Sequence, residues 1–149
     1  MIQRLDHTTK ATAKHIHHVF KKSYAVEAEL LGVIDFPPLK RTISVFLECK
    51  NVFLGFYMDE NLAAVIEVAS INKATHIQSL VVLPTHFKMG IASALLSFVI
   101  SAYPSKIFSV ETGLKNFPAI ALYKKFGFIE TKQWDTYHGV RKVRFEKNR

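Results

Sequence analysis

At 149 residues, with 49% apolar and 21% charged side chains, the chain has the size and composition of one globular domain. Its net charge of +8 attracts anions in general, whether nucleic acid, anionic lipid or a phosphorylated cofactor, without choosing among them. No apolar run approaches the roughly 20 residues of a membrane span, the opening MIQRLDHTTKATAKHIHH lacks the apolar core of a secretory signal, and Cys49, the single cysteine, excludes an internal disulfide, so a cytoplasmic location is expected.

In chain order, residues 2–5 read as a short strand. Thr8 or Thr9 can cap a helix in which Ala13, Ile16, Phe20 and Tyr24 recur at helical spacing. GVIDFPP, residues 32–38, is a break, after which Leu39, Ile43, Phe46 and Leu47 fall on one helical face. Residues 51–58 and 62–71 read as a hairpin around Asp59-Glu60-Asn61, and residues 75–83 as a third strand. Residues 90–102 form an amphipathic helix through Ile91, Ala94, Leu95, Phe98, Val99 and Ala102. A strand over 106–112, a helix over 118–126 stopped by Gly127, and two strands around Gly139 complete the chain. Three strands as a meander followed by α-β-α-β-β predict a mixed α/β sheet in a single domain. The unit 75–83, helix, 106–112 is predicted to be a right-handed parallel crossover.

The stretch VVLPTHFKMGIASALL, residues 81–96, joins a strand to a helix through a bare start. Pro84 ends the strand, Gly90 permits positive φ or close approach of a ligand, and Ala92 keeps the helix entrance small. A helix N-terminus offers about four free N–H groups and roughly half a positive charge, a natural seat for phosphate oxygens. Lys88 adds a full charge. Neither G-x-x-x-x-G-K-[ST] nor G-x-G-x-x-G is present, which argues against a P-loop NTPase or a Rossmann dehydrogenase.

Downstream, VETGLKNFPAIALYKKFGF, residues 110–128, carries the pattern V-E-x(4)-N-x-x-A-x-x-x-Y-x-x-x-G-F. Following strand-P-x(5)-G-x-A-helix, it resembles the Gcn5-related N-acetyltransferase superfamily, most sharply over residues 77–96 and 110–128. The resemblance implies a sheet of about six or seven mostly antiparallel strands with a central splayed parallel pair and about four helices. It implies acetyl-CoA as cosubstrate, a primary amine of a small molecule or peptide as acceptor, and a homodimer as one option for assembly. The cofactor-holding positions it implies are Leu80, Val81 and Val82 on the splayed strand, Lys88, Met89, Gly90, Ile91, Ala92 and Ser93 in the loop, and Asn116. Phe87 stands where the family pattern expects a polar side chain. Asn116 can equally cap the following helix, and the two roles are compatible.

The implied acid toward the departing thiolate is Tyr123, whose plainer role is to pack on Phe126. The implied base is Glu111, whose plainer role is to end a strand. Glu67, a carboxylate inside the apolar strand AVIEVAS, is a rival base and needs a partner or a purpose. Gln78 can position a water but cannot be a base. His15 and His18 lack a third ligand and the H-E-x-x-H spacing, so no metal is expected. Trp134, Tyr137 and His138 either line the acceptor pocket or fill a hairpin. Two other readings stand beside the enzyme: an acyl-CoA-binding domain of the same fold without turnover, and a nucleic-acid binder. The latter has only the net charge and the ending VRKVRFEKNR, in which Lys142 and Arg144 face away from Val143 and Phe145 as in any half-buried edge strand, so nucleic acid is not an expected partner.

Overall fold

The computed structural model describes residues 1–149. The strands are β1 (Ile2–Arg4), β2 (Val52–Met58), β3 (Asn61–Ile71), β4 (Ala74–Val82), β5 (Ile107–Gly113), β6 (Ile129–Asp135) and β7 (Arg141–Asn148), and the helices α1 (Lys10–Leu31), α2 (Ile43–Glu48), α3 (Ile91–Ala102) and α4 (Phe117–Lys125). The strands form one sheet in the order β1-β2-β3-β4-β5-β7-β6, antiparallel except for β4 and β5. The expected mixed sheet, meander and parallel crossover are all present.

Each face of the sheet has its own core. On one face Ala13, Ile16, Val19 and Phe20 of α1 and Phe46 of α2 pack against Phe53, Val65 and Val81. On the other, Ile91, Leu95, Leu96 and Val99 of α3 and Tyr123 of α4 pack against Ile66, Ile77, Phe108, Val110 and Phe145. The alternation along β7 is as the sequence predicts, with Val143 and Phe145 inside.

Helix boundaries follow local chemistry. The Thr9 side chain accepts from the Thr12 N–H at the start of α1, and Gly32, at φ +71, ends it. The one departure lies between residues 39 and 47. Pro37–Lys40 forms a single 3-10 turn, Arg41 and Thr42 are extended, and only then does α2 begin, with Thr42 Oγ1 accepting from the Val45 N–H at 3.3 Å. Leu39 is therefore not on the helix of Ile43, Phe46 and Leu47. The break turns the Arg41 side chain inward, where it lies 4.3 Å over the Phe46 ring and reaches the sheet.

Candidate active site

The parallel pairing of β4 with β5 runs from Ala74–Ile107 only as far as Ile77–Val110. A bulge at Gln78 shifts the register between β4 and β3, since Glu67 faces Ser79 while Val68 faces Ile77. Beyond it β4 continues to Val82 beside β3 alone, leaving its other edge open. The Leu83 N–H points to β3, donating to the Ala63 carbonyl at 2.8 Å, whereas the Val82 N–H points away and donates to Ser23 Oγ of α1 at 3.3 Å. The alternation of a strand then turns the Leu80 N–H into the open gap and the Val81 N–H toward β3. Val81 also buries its side chain in the α1 core. Of the three positions expected on this strand, Leu80 and Val82 face the gap and Val81 does not.

Past the strand, none of the backbone N–H groups from Lys88 to Ser93 donates to an acceptor within the chain. Gly90, at φ +78, is the N-cap of α3, and a β-carbon there would meet open space. Lys88 also takes left-handed backbone, at φ +63, which costs a non-glycine residue about 1–2 kcal/mol. Strain and unsatisfied donors thus gather at one helix entrance, as an anion-binding turn requires. Met89 is exposed and Ile91 is buried in the α3 core, and neither lines the cavity along the loop.

Two cavities meet at the splay. One, of about 400 Å³, runs along the loop and is lined by Val82, Phe87, Lys88, Gly90, Ala92 and Ser93 among others. The other, of about 330 Å³, lies under α1 and the 3-10 turn, bounded by Phe20, Tyr24, Phe36, Arg41, Glu111 and Lys142 among others. Glu27, Leu80, Asn116, Ala119 and Tyr123 line both. Tyr123 is 4% exposed and packs on Phe128 and Phe145, with ring centroids 5.7 and 6.3 Å away, rather than on Phe126. Burial, then the neighbouring Tyr24 and Glu27, pushes its phenol up, so it keeps its proton at neutral pH.

Asn116 does more than either expected role. Its Oδ1 accepts from the Ala119 N–H at 3.4 Å and caps α4, while its Nδ2 donates to Glu27 Oε1 at 2.9 Å and to Thr112 Oγ1 at 3.3 Å. Glu27 was not legible as a site residue. It is half-buried, and burial pushes its carboxyl up to about 7, against the opposing pull of Lys142 and the Asn116 hydrogen bond. The available signal was helical phase: Phe20, Tyr24, Glu27 and Leu31 follow the i, i+4, i+7, i+11 stripe of α1, so a carboxylate sits on the face that packs.

The other two carboxylates are already paired. Glu67 is fully buried; Arg41 grips it at 2.7 and 2.8 Å, Asn51 donates at 2.8 Å and Ser79 at 3.0 Å. Burial raises its carboxyl, but these donors outweigh it and hold it below the usual carboxylate range. The partner the sequence demanded is Arg41, which the sequence did not single out. Glu111 lines the deeper cavity and accepts from Arg144 at 2.9 Å; Arg144 also reaches Glu146. Gln78 lines the same cavity, whereas Trp134, Tyr137 and His138 do not, Tyr137 being 93% exposed. His15 and His18 are exposed on α1.

A sheet splayed over a bare helix entrance, with a second cavity behind it, offers one site for an extended anionic ligand and another for the group that meets it. The profile of the acetyltransferase (GNAT) family matches residues 14–128, and the chain belongs to that family. It is 32% identical over 141 residues to UPF0157 protein YqkA of Bacillus subtilis, covering 94% of this chain but 41% of that protein, so the chain spans less than half the length of this relative. In three dimensions it resembles the ribosomal-protein-S18-alanine N-acetyltransferase of Escherichia coli, with a TM-score of 0.81 at 16% identity over 99% of this chain and 92% of the other. It also resembles the PaiA N-acetyltransferase of Thermoplasma acidophilum, solved in complex with coenzyme A, with a TM-score of 0.77 at 18% identity over 100% and 98%. No helix is long and apolar enough to cross a membrane.

Proposed function

We propose that the chain is an acetyl-CoA-dependent N-acetyltransferase that acetylates a primary amine. The observation that carries this reading is the meeting of the two cavities at Tyr123, Leu80 and Glu27. The residues fit the cosubstrate. The free N–H groups of Lys88–Ser93 and the Lys88 ammonium suit a pyrophosphate. The open edge of β4 suits an amide-bearing pantetheine arm, and the apolar wall of Val82 and Leu122 suits its methylenes. Phe87 lines this cavity 42% exposed, and places ring surface where the family pattern has a polar group.

Bound acetyl-CoA supplies an activated acetyl group as a thioester, so that a carbon–nitrogen bond to the acceptor forms as the carbon–sulfur bond breaks. The chain's part is proton movement and orientation. Glu27, its carboxyl near 7, takes the proton from the acceptor's ammonium. Asn116 holds Glu27 to one orientation. Tyr123, kept protonated by burial, gives its proton to the leaving sulfur. The Leu80 N–H is the donor available to the thioester oxygen. Glu111, held by Arg144, lines the acceptor side of the site.

The test is a thermal melt with acetyl-CoA, CoA and ATP, followed by an assay of CoA release across an amine and peptide panel. Saturation at 100 times Kd stabilises by about 2.7 kcal/mol, a shift of several degrees, with acetyl-CoA but not ATP. Tyr123→Phe is expected to lower kcat about 100-fold with little change in the melt shift. Unchanged turnover removes Tyr123 as the acid. Binding without CoA release from any amine overturns the enzyme reading in favour of an acyl-CoA-binding domain.

A further inference from the structure

The deeper cavity has an uneven charge inventory. Glu67 and Arg41 neutralise each other, and Arg144 is shared between Glu111 and Glu146. The charged groups of the lining that no ion pair engages are Lys142 and Glu27. Lys142 lines the cavity half-buried, and no carboxylate of the chain reaches ion-pair distance of its ammonium. It stands on β7 opposite Gly113 of β5, over which the Leu31 side chain of α1 packs so closely that a β-carbon there would lie 2.5 Å from it. Beside the polar groups of Tyr24, Arg41, Asn51 and Glu67, the cavity presents apolar surface from Phe20, Leu31, Phe36, Pro38 and Val140. Three chemistries therefore converge: a carboxylate able to receive a proton from an ammonium, an unpartnered cation, and an aromatic-aliphatic wall. A partly buried, unpaired cation in a cavity marks the seat of an anionic group, because pairing there offsets its desolvation.

We infer that the acceptor is an α-amino acid with an apolar side chain, its ammonium at Glu27, its carboxylate at Lys142 and its side chain against Phe20 and Phe36. The assignment rests on the acetyltransferase reading for the chemistry, but its recognition part is separable. The cavity volume of about 330 Å³ admits one such molecule.

L-Phenylalanine and L-phenylalaninamide separate the recognition from everything else, since they differ by one negative charge at nearly constant shape. Binding of each to the CoA-loaded protein is measured by calorimetry, and CoA release from acetyl-CoA is measured in parallel. The acid is expected to bind at least tenfold more tightly than the amide. Lys142→Met is expected to weaken the acid at least tenfold and the amide no more than twofold, and Lys142→Arg to keep most of the preference. Equal or tighter binding of the amide, or binding of neither, overturns the inference, whatever the turnover. Preference for the acid without CoA release supports the site and overturns the catalytic reading alone. Turnover of both at equal kcat/KM supports the enzyme and overturns the amino-acid assignment.

Discussion

Arg41→Met is expected to destabilise the protein by about 3–5 kcal/mol, which lowers Tm by about 10 °C. Glu67 has no exposed surface, and its strongest compensation is the two hydrogen bonds and full charge of Arg41 at 2.7 and 2.8 Å. Removing the guanidinium leaves a buried carboxylate with only Asn51 and Ser79 as firm donors. The pH dependence gives the diagnosis. In the wild type the Glu67 carboxyl lies below its ordinary 4.5, so its contribution is present above the unfolded value and is lost as pH falls through the folded one. In Arg41→Met burial is opposed only by the Asn51 and Ser79 hydrogen bonds, and the folded value rises. The sign reverses: stability is greatest in acid and declines as pH rises past about 4.5. Adding Glu67→Gln to Arg41→Met is expected to recover at least half of the loss, because glutamine keeps one oxygen to accept from Asn51, can donate its amide N–H to the Ser79 hydroxyl, and carries no charge. Thermal melts of the three variants between pH 4 and 8 decide it. A single variant that melts within 2 °C of wild type at pH 8 would show that the ion pair contributes nothing net.

That pair also marks where sequence reading stops. Residues 81–96 and 110–128 are legible because their demands are local. Pro84 cannot continue a strand, Gly90 accepts φ +78, Asn116 caps the helix that follows it, and Gly127 takes φ +88 beyond that helix. The parallel crossover of β4 and β5 follows from the same segments, but the insertion of β7 between β5 and β6 does not, since the basic ending reads as an edge strand. Glu67 could be recognised as a carboxylate in need of a partner, but Arg41 is 26 residues away, on a segment whose apolar spacing suggests a continuous helix. Only the Thr42 cap, breaking that helix, turns Arg41 inward. Lys142 was placed correctly on the face of its strand away from Val143 and Phe145, but that face is covered by α1 and lines a cavity, which no local pattern encodes. Glu27 is the clearest case. In sequence it is one of several charges on a long helix; its burial comes from the gap between β4 and β5 and from Asn116, 89 residues on.

Glu27→Gln is expected to lower kcat/KM with the best acceptor by roughly 10²–10⁴-fold and, at the same time, to stabilise the protein at pH 8. The two effects have one cause. Burial raises the Glu27 carboxyl from 4.5 to about 7. A group whose folded value is raised contributes stability that is fully present below the unfolded value and lost as pH rises through the folded one, so above pH 7 the fold carries the cost of an ionised, poorly hydrated carboxylate. Linkage bounds that cost near ~3 kcal/mol, and the exposed part of the side chain reduces it to roughly 1–2 kcal/mol, a few degrees of Tm. Glutamine keeps an oxygen for the Asn116 donor and removes the charge. The wild-type kcat/KM profile is expected to rise with pH to a plateau with an apparent pKa near 7, and that limb should vanish in the variant. Such a trade of stability for a poised base is what a functional carboxylate does and a structural one does not. If Glu27→Gln retains activity with the limb intact, the base is elsewhere and Glu111 is next in line. If it loses activity and Tm alike at pH 8, Glu27 is holding α1 to Asn116 rather than moving a proton. Melts at pH 5 and pH 8 separate the cases, since a purely structural hydrogen bond has no reason to change sign between them.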